Sequence, residues 1–137
     1  MKKRIFWSIF SASLAVLALV TAFVVLALYN TYETSARDDL RTEAHYLNSK
    51  LLTVDDEIGY INGYYSLNRI TYIDSDGTVL YDNTVDAASM ENHADRPEVV
   101  SALTKGVGES IRYSNTLLTK TLNYAVKTPG GSVVRIS

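Results

Sequence analysis

The sequence predicts an α+β chain of two unlike parts: an N-terminal membrane-spanning helix, then a domain with a long N-terminal helix and a five-stranded antiparallel sheet. Three observations carry this. Lys2, Lys3 and Arg4 stand together at the start, are followed by uncharged residues from Ile5 to Asn30, and precede all fifteen acidic residues. Apolar residues then recur at helical spacing to about residue 61. Beyond Asn62-Gly63, β-branched and aromatic residues cluster in short runs between turn formers.

The averages conceal this division. Over 137 residues the formal charge is −2 and the mean hydropathy is zero. The basic triplet alone carries +3, and the other ten basic residues against fifteen acids leave −5 for the rest. The 109 residues after position 28 suffice for one domain of ordinary size, which excludes a typical multidomain enzyme. The absence of cysteine excludes a disulfide framework and any thiolate metal site.

Ile5 to Tyr29 is 25 residues without a charge. As a helix it would be roughly 37 Å long, more than the roughly 30 Å hydrocarbon core of a bilayer, so it spans with some tilt. Ser8, Ser11, Ser13 and Thr21 are tolerated because hydroxyls bond back to helix carbonyls, and Trp7 and Tyr29 fall where aromatic rings favour the interface. A cleaved signal peptide is the rival, but the run is too long and Leu26-Ala27-Leu28-Tyr29 offers no small-x-small cleavage site. The basic tip, residues 1–4, is expected in the cytoplasm and residues 30–137 outside, in the plasma membrane.

From about 31 to 61 one long helix is expected. Leu40, Ala44, Leu47, Leu51, Val54, Ile58 and Ile61 form an a/d stripe, which suits either the domain's own sheet or a dimer seam and signalling helix. Arg69–Asp74 and Thr78–Asp82 read as a hairpin around Ser75-Asp76-Gly77. A polar loop over Asn83–Ala94 with one helical turn follows. Asp95-Arg-Pro-Glu98 is a capping-box pattern opening a helix from Arg96 to Lys105, stopped by Gly106. Strands are expected over Glu109–Thr116, Thr121–Lys127 and Ser132–Ile136, with turns at Leu117–Lys120 and Thr128–Gly131. Short connections make these three a meander, with helices on one face of the sheet.

Catalytic signals are lacking. His45 and His93 are the only histidines, no H-E-x-x-H spacing occurs, and a metal site is not expected. Gly106-Val-Gly108 lies between helix and strand, the wrong order for a phosphate cradle. Asp55, Asp56 and Glu57 read as a solvated helix face. Nucleic-acid binding is not expected of an acidic outward part without a basic, aromatic-bearing patch. A ligand site is expected between the second strand and the short helix. There His93 and Arg96 flank a helix N-terminus that favours anions, Arg112 and Arg135 add charge from strands, and Tyr124 adds a wall. That set suits a small carboxylate or phosphate.

The stretches RITYIDSDGTVLYD (Arg69–Asp82), MENHADRPE (Met90–Glu98), GVGESIRYS (Gly106–Ser114) and Tyr124-Ala-Val126 together resemble the extracytoplasmic sensor region of membrane sensor histidine kinases. The nearest likeness is to phosphate-regulon-type kinases of Gram-positive, clostridia-like bacteria. It covers nearly the whole chain, through the order and spacing of motifs more than through any one of them. The resemblance implies a PAS-like (single Cache-type) domain between two membrane helices. Downstream it implies a HAMP linker, a dimerisation helix pair with the phosphoacceptor histidine and an ATP-binding domain. It also implies a homodimer and a cognate response regulator, with ATP and Mg needed only by the kinase core. No second span, no histidine followed by an acidic and an apolar residue, and no nucleotide-binding glycine box occurs here. The chain is therefore expected to be the input end, a fragment or truncated product. A chemoreceptor or cyclase would share this input physics. A pilin-like subunit would need a glycine before the apolar run and an early glutamate, whereas Arg4 precedes Ile5 and the first acid is Glu33.

Overall fold

The computed structural model describes residues 2–114 and 119–137. The chain divides into two compact units, Met1–Ala36 and Arg37–Ser137. Helix α1 (Lys2–Leu51) supplies the first unit from Lys2 onward and opens the second.

In the first unit the large apolar side chains from Ile5 to Tyr29 are exposed, and the segment is long and apolar enough to cross a membrane. Two of its hydroxyls are satisfied within the helix. Ser11 Oγ donates to the Ser8 carbonyl at 3.0 Å and Thr21 Oγ1 to the Leu17 carbonyl at 2.8 Å.

The second unit is an α+β domain. After α1 come α2 (Glu57–Gly63), β1 (Ile70–Ile73), β2 (Val79–Asp82), a 3₁₀ turn (Ala87–Ser89), α3 (Pro97–Lys105), β3 (Val107–Ser114), β4 (Thr119–Lys127) and β5 (Val133–Ile136). The five strands form one antiparallel sheet in the order β2-β1-β5-β4-β3. Asn115 and Thr116 of the expected strand and Leu117 and Leu118 of the expected turn lie outside the described residues, while Thr119 and Lys120 already belong to β4. β1 and β5 are buried on both faces, which their Ile- and Val-rich sequences require. Arg69 and Ser137 exchange both backbone hydrogen bonds, at 2.9 Å each, extending the β1–β5 ladder by one pair.

One face of the sheet carries Ile70, Tyr72, Tyr124, Val126, Val134 and Ile136 into a core shared with Leu40, Ala44, Leu47 and Leu51 of α1 and Ile61 of α2. The other face joins Ile73, Ala125 and Val133 to Val99 and Ala102 of α3. Helices therefore cover both faces, not one as expected. The period of two makes this necessary, because β4 and β5 present apolar residues alternately to each side. Helix α3 comes close because of Gly108, where a Cβ would collide with the Glu98 carbonyl and the Ala102 amide. Gly106 ends α3 in the left-handed conformation, φ 89°, with its N–H on the Ala102 carbonyl at 2.8 Å.

The helix expected over 31–61 is two helices. Thr53 closes α1 by donating both its N–H and its Oγ1 to the Lys50 carbonyl, at 2.9 and 2.8 Å. Asp56 then caps α2, accepting from the Gly59 N–H at 2.8 Å. Asp55-Asp56-Glu57 is thus a break and a cap, not a helix face. Most of the stripe is buried on the domain's own sheet, but Val54 is only half-buried and Ile58 is 41 % exposed. Leu47→Ala is expected to lower the unfolding free energy by about 2–5 kcal/mol, and Ile58→Ala by less than about 1 kcal/mol. Urea unfolding of the two variants checks this, and equal losses would restore one continuous stripe.

Candidate functional site

The part of the second face not covered by α3 holds a cavity of about 450 Å³. Arg112, Thr121, Asn123 and Arg135 reach it from β3, β4 and β5, His93 and Arg96 from the loop before α3, and Arg69 and Met90 line it as well. The loop is tied to the hairpin turn. His93 N–H donates to the Gly77 carbonyl at 2.8 Å, Asn92 Nδ2 to the Asp76 carbonyl at 3.0 Å, and Arg96 N–H to the His93 carbonyl at 3.1 Å.

Four of the five expected ligand-site residues, His93, Arg96, Arg112 and Arg135, thus line one cavity. Tyr124 does not. It stands one residue from Asn123 and so points to the opposite face, where its ring packs in the α1 core and its hydroxyl lies 3.3 Å from His45 Nε2.

The expected capping box is also corrected. Arg96, not Asp95, is the N-cap of α3 and makes no side-chain cap bond. Proline at N1 fixes the first turn, and Glu98 turns inward, fully buried. Its carboxylate accepts from Ser110 Oγ at 2.6 Å and from Arg112 Nη2 at 2.6 Å, with Arg135 Nη1 at 3.5 Å. Arg135 Nη2 donates to Thr71 Oγ1 at 2.9 Å, Thr71 Oγ1 donates to Asp82 Oδ2 at 2.8 Å, and Arg69 Nε pairs with Asp82 at 2.9 Å. One connected chain of charge therefore runs behind the cavity, from Arg69 on one side to Arg112 on the other.

Glu98, Thr71 and Asp82 were not among the expected site residues. Their sequence signal is the set of polar residues sharing one face of neighbouring strands: Thr71 and Asp82, Ser110 and Arg112, Thr121 and Asn123. A core-facing strand surface with so many polar side chains marks a polar cavity.

The network leaves buried polar atoms over. His93 and Arg135 are each only 5 % exposed, yet His93 Nδ1 and Arg135 Nε have no hydrogen-bond partner, nor does Arg96 Nε. Arg96 Nε meets only the exposed Asp95 carboxylate, 3.9 Å away. Burial would raise the Glu98 carboxyl, but the Ser110 hydroxyl, its own backbone N–H and Arg112 outweigh it and hold the group below its ordinary range. Asp82 is lowered in the same way, against its burial, by Thr71, the Thr84 N–H, Arg69 and the Val85 N–H. His93 is pushed down by burial and then by the guanidiniums of Arg135, Arg96 and Arg112, opposed by Glu98. The result is a positively biased recess with a neutral imidazole in its wall. Among the described residues no group of three His, Asp or Glu side chains is placed to hold a metal.

No protein-family model matches the chain, and no curated protein is significantly similar to it.

These shifts make the domain acid-sensitive. Asp82 and Glu98 are more acidic folded than unfolded, so their stabilisation is complete above the unfolded values near 4 and is lost as pH falls through the folded ones. His93 binds its proton less readily folded, so below its ordinary 6.5 the unfolded chain takes up more protons and stability falls there too. The unfolding midpoint is expected to fall from pH 7 to 5 and more steeply below 4. His93→Gln should flatten the upper segment, and Glu98→Gln should cost roughly 3–5 kcal/mol by leaving Arg135 uncompensated. Calorimetry across this range checks both, and a midpoint that rises on acidification would contradict the account.

Proposed function

We propose that this chain is the input region of a membrane sensor histidine kinase, with a PAS-like (single Cache-type) domain that takes up a small anionic ligand outside the cell. The observation that carries it is the pair of buried, partnerless polar atoms, His93 Nδ1 and Arg135 Nε, opening on one cavity in a chain that also has an apolar helix able to span a membrane. Polar atoms left unpaired in a buried site are costly unless a ligand completes them. A five-stranded antiparallel sheet preceded by a long helix agrees with the layout that the resemblance implies.

Strand β5 supplies a route for the signal. Arg135 faces the cavity, while its neighbours Val134 and Ile136 sit in the core with Leu40, Leu47 and Leu51 of α1. A ligand that draws on Arg135 thus acts on a strand packed against α1. It shifts or rotates that helix if it binds one arrangement more tightly than the other. The proposed homodimer would pair through residues outside the buried stripe, because Leu40, Ala44, Leu47 and Leu51 are already spent on the sheet. In this reading the tip at residues 1–4 is cytoplasmic and residues 30–137 lie outside the plasma membrane. The kinase core that uses ATP and Mg and phosphorylates the response regulator is encoded further on. A chemoreceptor or cyclase core there would keep the sensor and change the output.

The full chain in detergent micelles should show a raised unfolding midpoint on adding millimolar sulfate or succinate. The gain should be larger at pH 6 than at pH 8, because an anion beside His93 favours its protonated form. No stabilisation by any small anion would remove the sensory reading. Sequence following codon 137 tests the kinase assignment, with a second apolar run and a helix bearing histidine beside an acidic residue as the expected result.

A further inference from the structure

The charges around the cavity do not balance. Four guanidiniums, those of Arg69, Arg96, Arg112 and Arg135, line it. Among the described side chains two buried carboxylates meet them from behind the wall, Asp82 paired with Arg69, and Glu98 shared between Arg112 and Arg135. Glu98 lies 2.6 Å from Arg112 but 3.5 Å from Arg135, so the more deeply buried guanidinium has the poorer partner. Arg96 has only the exposed Asp95, and a surface pair of that kind contributes little. Two positive charges are therefore left without a buried counter-charge, and the partnerless atoms Arg135 Nε, Arg96 Nε and His93 Nδ1 belong to the same wall. A monoanion would leave one of these charges over.

Size sharpens this further. At roughly 30 Å³ for each water of the liquid, a recess of about 450 Å³ holds on the order of fifteen waters. A bare tetrahedral oxyanion would leave most of that space wet. Met90 and Tyr113 give the wall apolar surface that an inorganic ion cannot use, and the volume lies within the usual range for organic ligands.

We infer that the cavity takes a small organic dianion, two negative charges on one carbon body, with an anionic head on Arg135, Arg96 and His93. A phosphate monoester, with both charges on its head, and a short dicarboxylate, with one charge at each end, both meet this description. The inference rests on the anion-sensing reading above and deepens it.

Isothermal titration of the full chain in detergent micelles at pH 7.5 tests it with glycerol 3-phosphate, succinate, inorganic phosphate and acetate. At least one of the two organic dianions is expected to bind ten times or more tighter than either inorganic phosphate or acetate, and which one binds identifies the head. Arg96→Gln, at a partly exposed position outside the Glu98 network, is expected to weaken that dianion at least tenfold while leaving the unfolding midpoint of the free protein in place. Acetate binding as tightly as the dianions would overturn the double charge, and inorganic phosphate binding as tightly would overturn the organic body. Unchanged affinity in Arg96→Gln would overturn the placement of the head. Each of these leaves anion sensing standing, whereas no heat with any of the four removes both.

Discussion

The carboxylate of Glu98 is the point on which the rest of the domain turns. It is fully buried, and it ties helix α3 to strand β3 through Ser110 and Arg112 and to β5 through Arg135. Taking a carboxylate out of water costs several kcal/mol, so it is tolerated only where hydrogen bonds and opposite charge are already in place. Gly108 meets that condition sterically, because only a residue without a side chain lets α3 approach closely enough for Glu98 to reach β3. The cavity is then a result of charge bookkeeping: one carboxylate between two guanidiniums cannot satisfy both, and space remains beside the less satisfied one.

Much of the fold was legible in the sequence where local chemistry and tertiary packing agree. The hairpin around Ser75-Asp76-Gly77, the helix stopped by Gly106 and the three closing strands follow from turn residues and a period of two. The departures lie where a local signal has two uses. Asp56 is equally good on a solvated helix face and as an N-cap, and the hydrogen bond to Gly59 shows which one it serves. Glu98 at the third position after Asp95 suits a capping box, yet its side chain turns to Arg112, since a guanidinium offers more to a carboxylate than a backbone amide does. Tyr124 shows how sensitive faces are to register, for a single residue separates the cavity from the opposite core. Arg112 and Arg135 of the candidate site were legible as charges on expected strands, and His93 and Arg96 as residues flanking a helix N-terminus, whereas Arg69 was not. Their carboxylate partners were not, because acids are common in loops and caps.

The apolar helix segment and the sheet domain differ in what they expose. From Ile5 to Tyr29 every large apolar side chain is exposed, on a segment long and apolar enough to cross a membrane, and the hydroxyls of Ser11 and Thr21 bond back to their own helix. After residue 28 the chain carries all ten tyrosines. Several of them join apolar ring and polar tip in one contact: Tyr72 packs in the α1 core and its hydroxyl donates to Glu57, and Tyr124 packs in the same core and meets His45.

The pairing of Arg69 with Ser137 places two distant points of the chain side by side at one end of the β1–β5 ladder. Because these strands are antiparallel, a tensile load applied between those two residues would open the ladder as a zip opens, rung after rung from Arg69–Ser137 inward. It would not shear all the rungs at once. The sheet would yield to that direction of pull at low force, at its centre and not at its edges, and β5, the strand that carries Arg135, would be the first to part from β1.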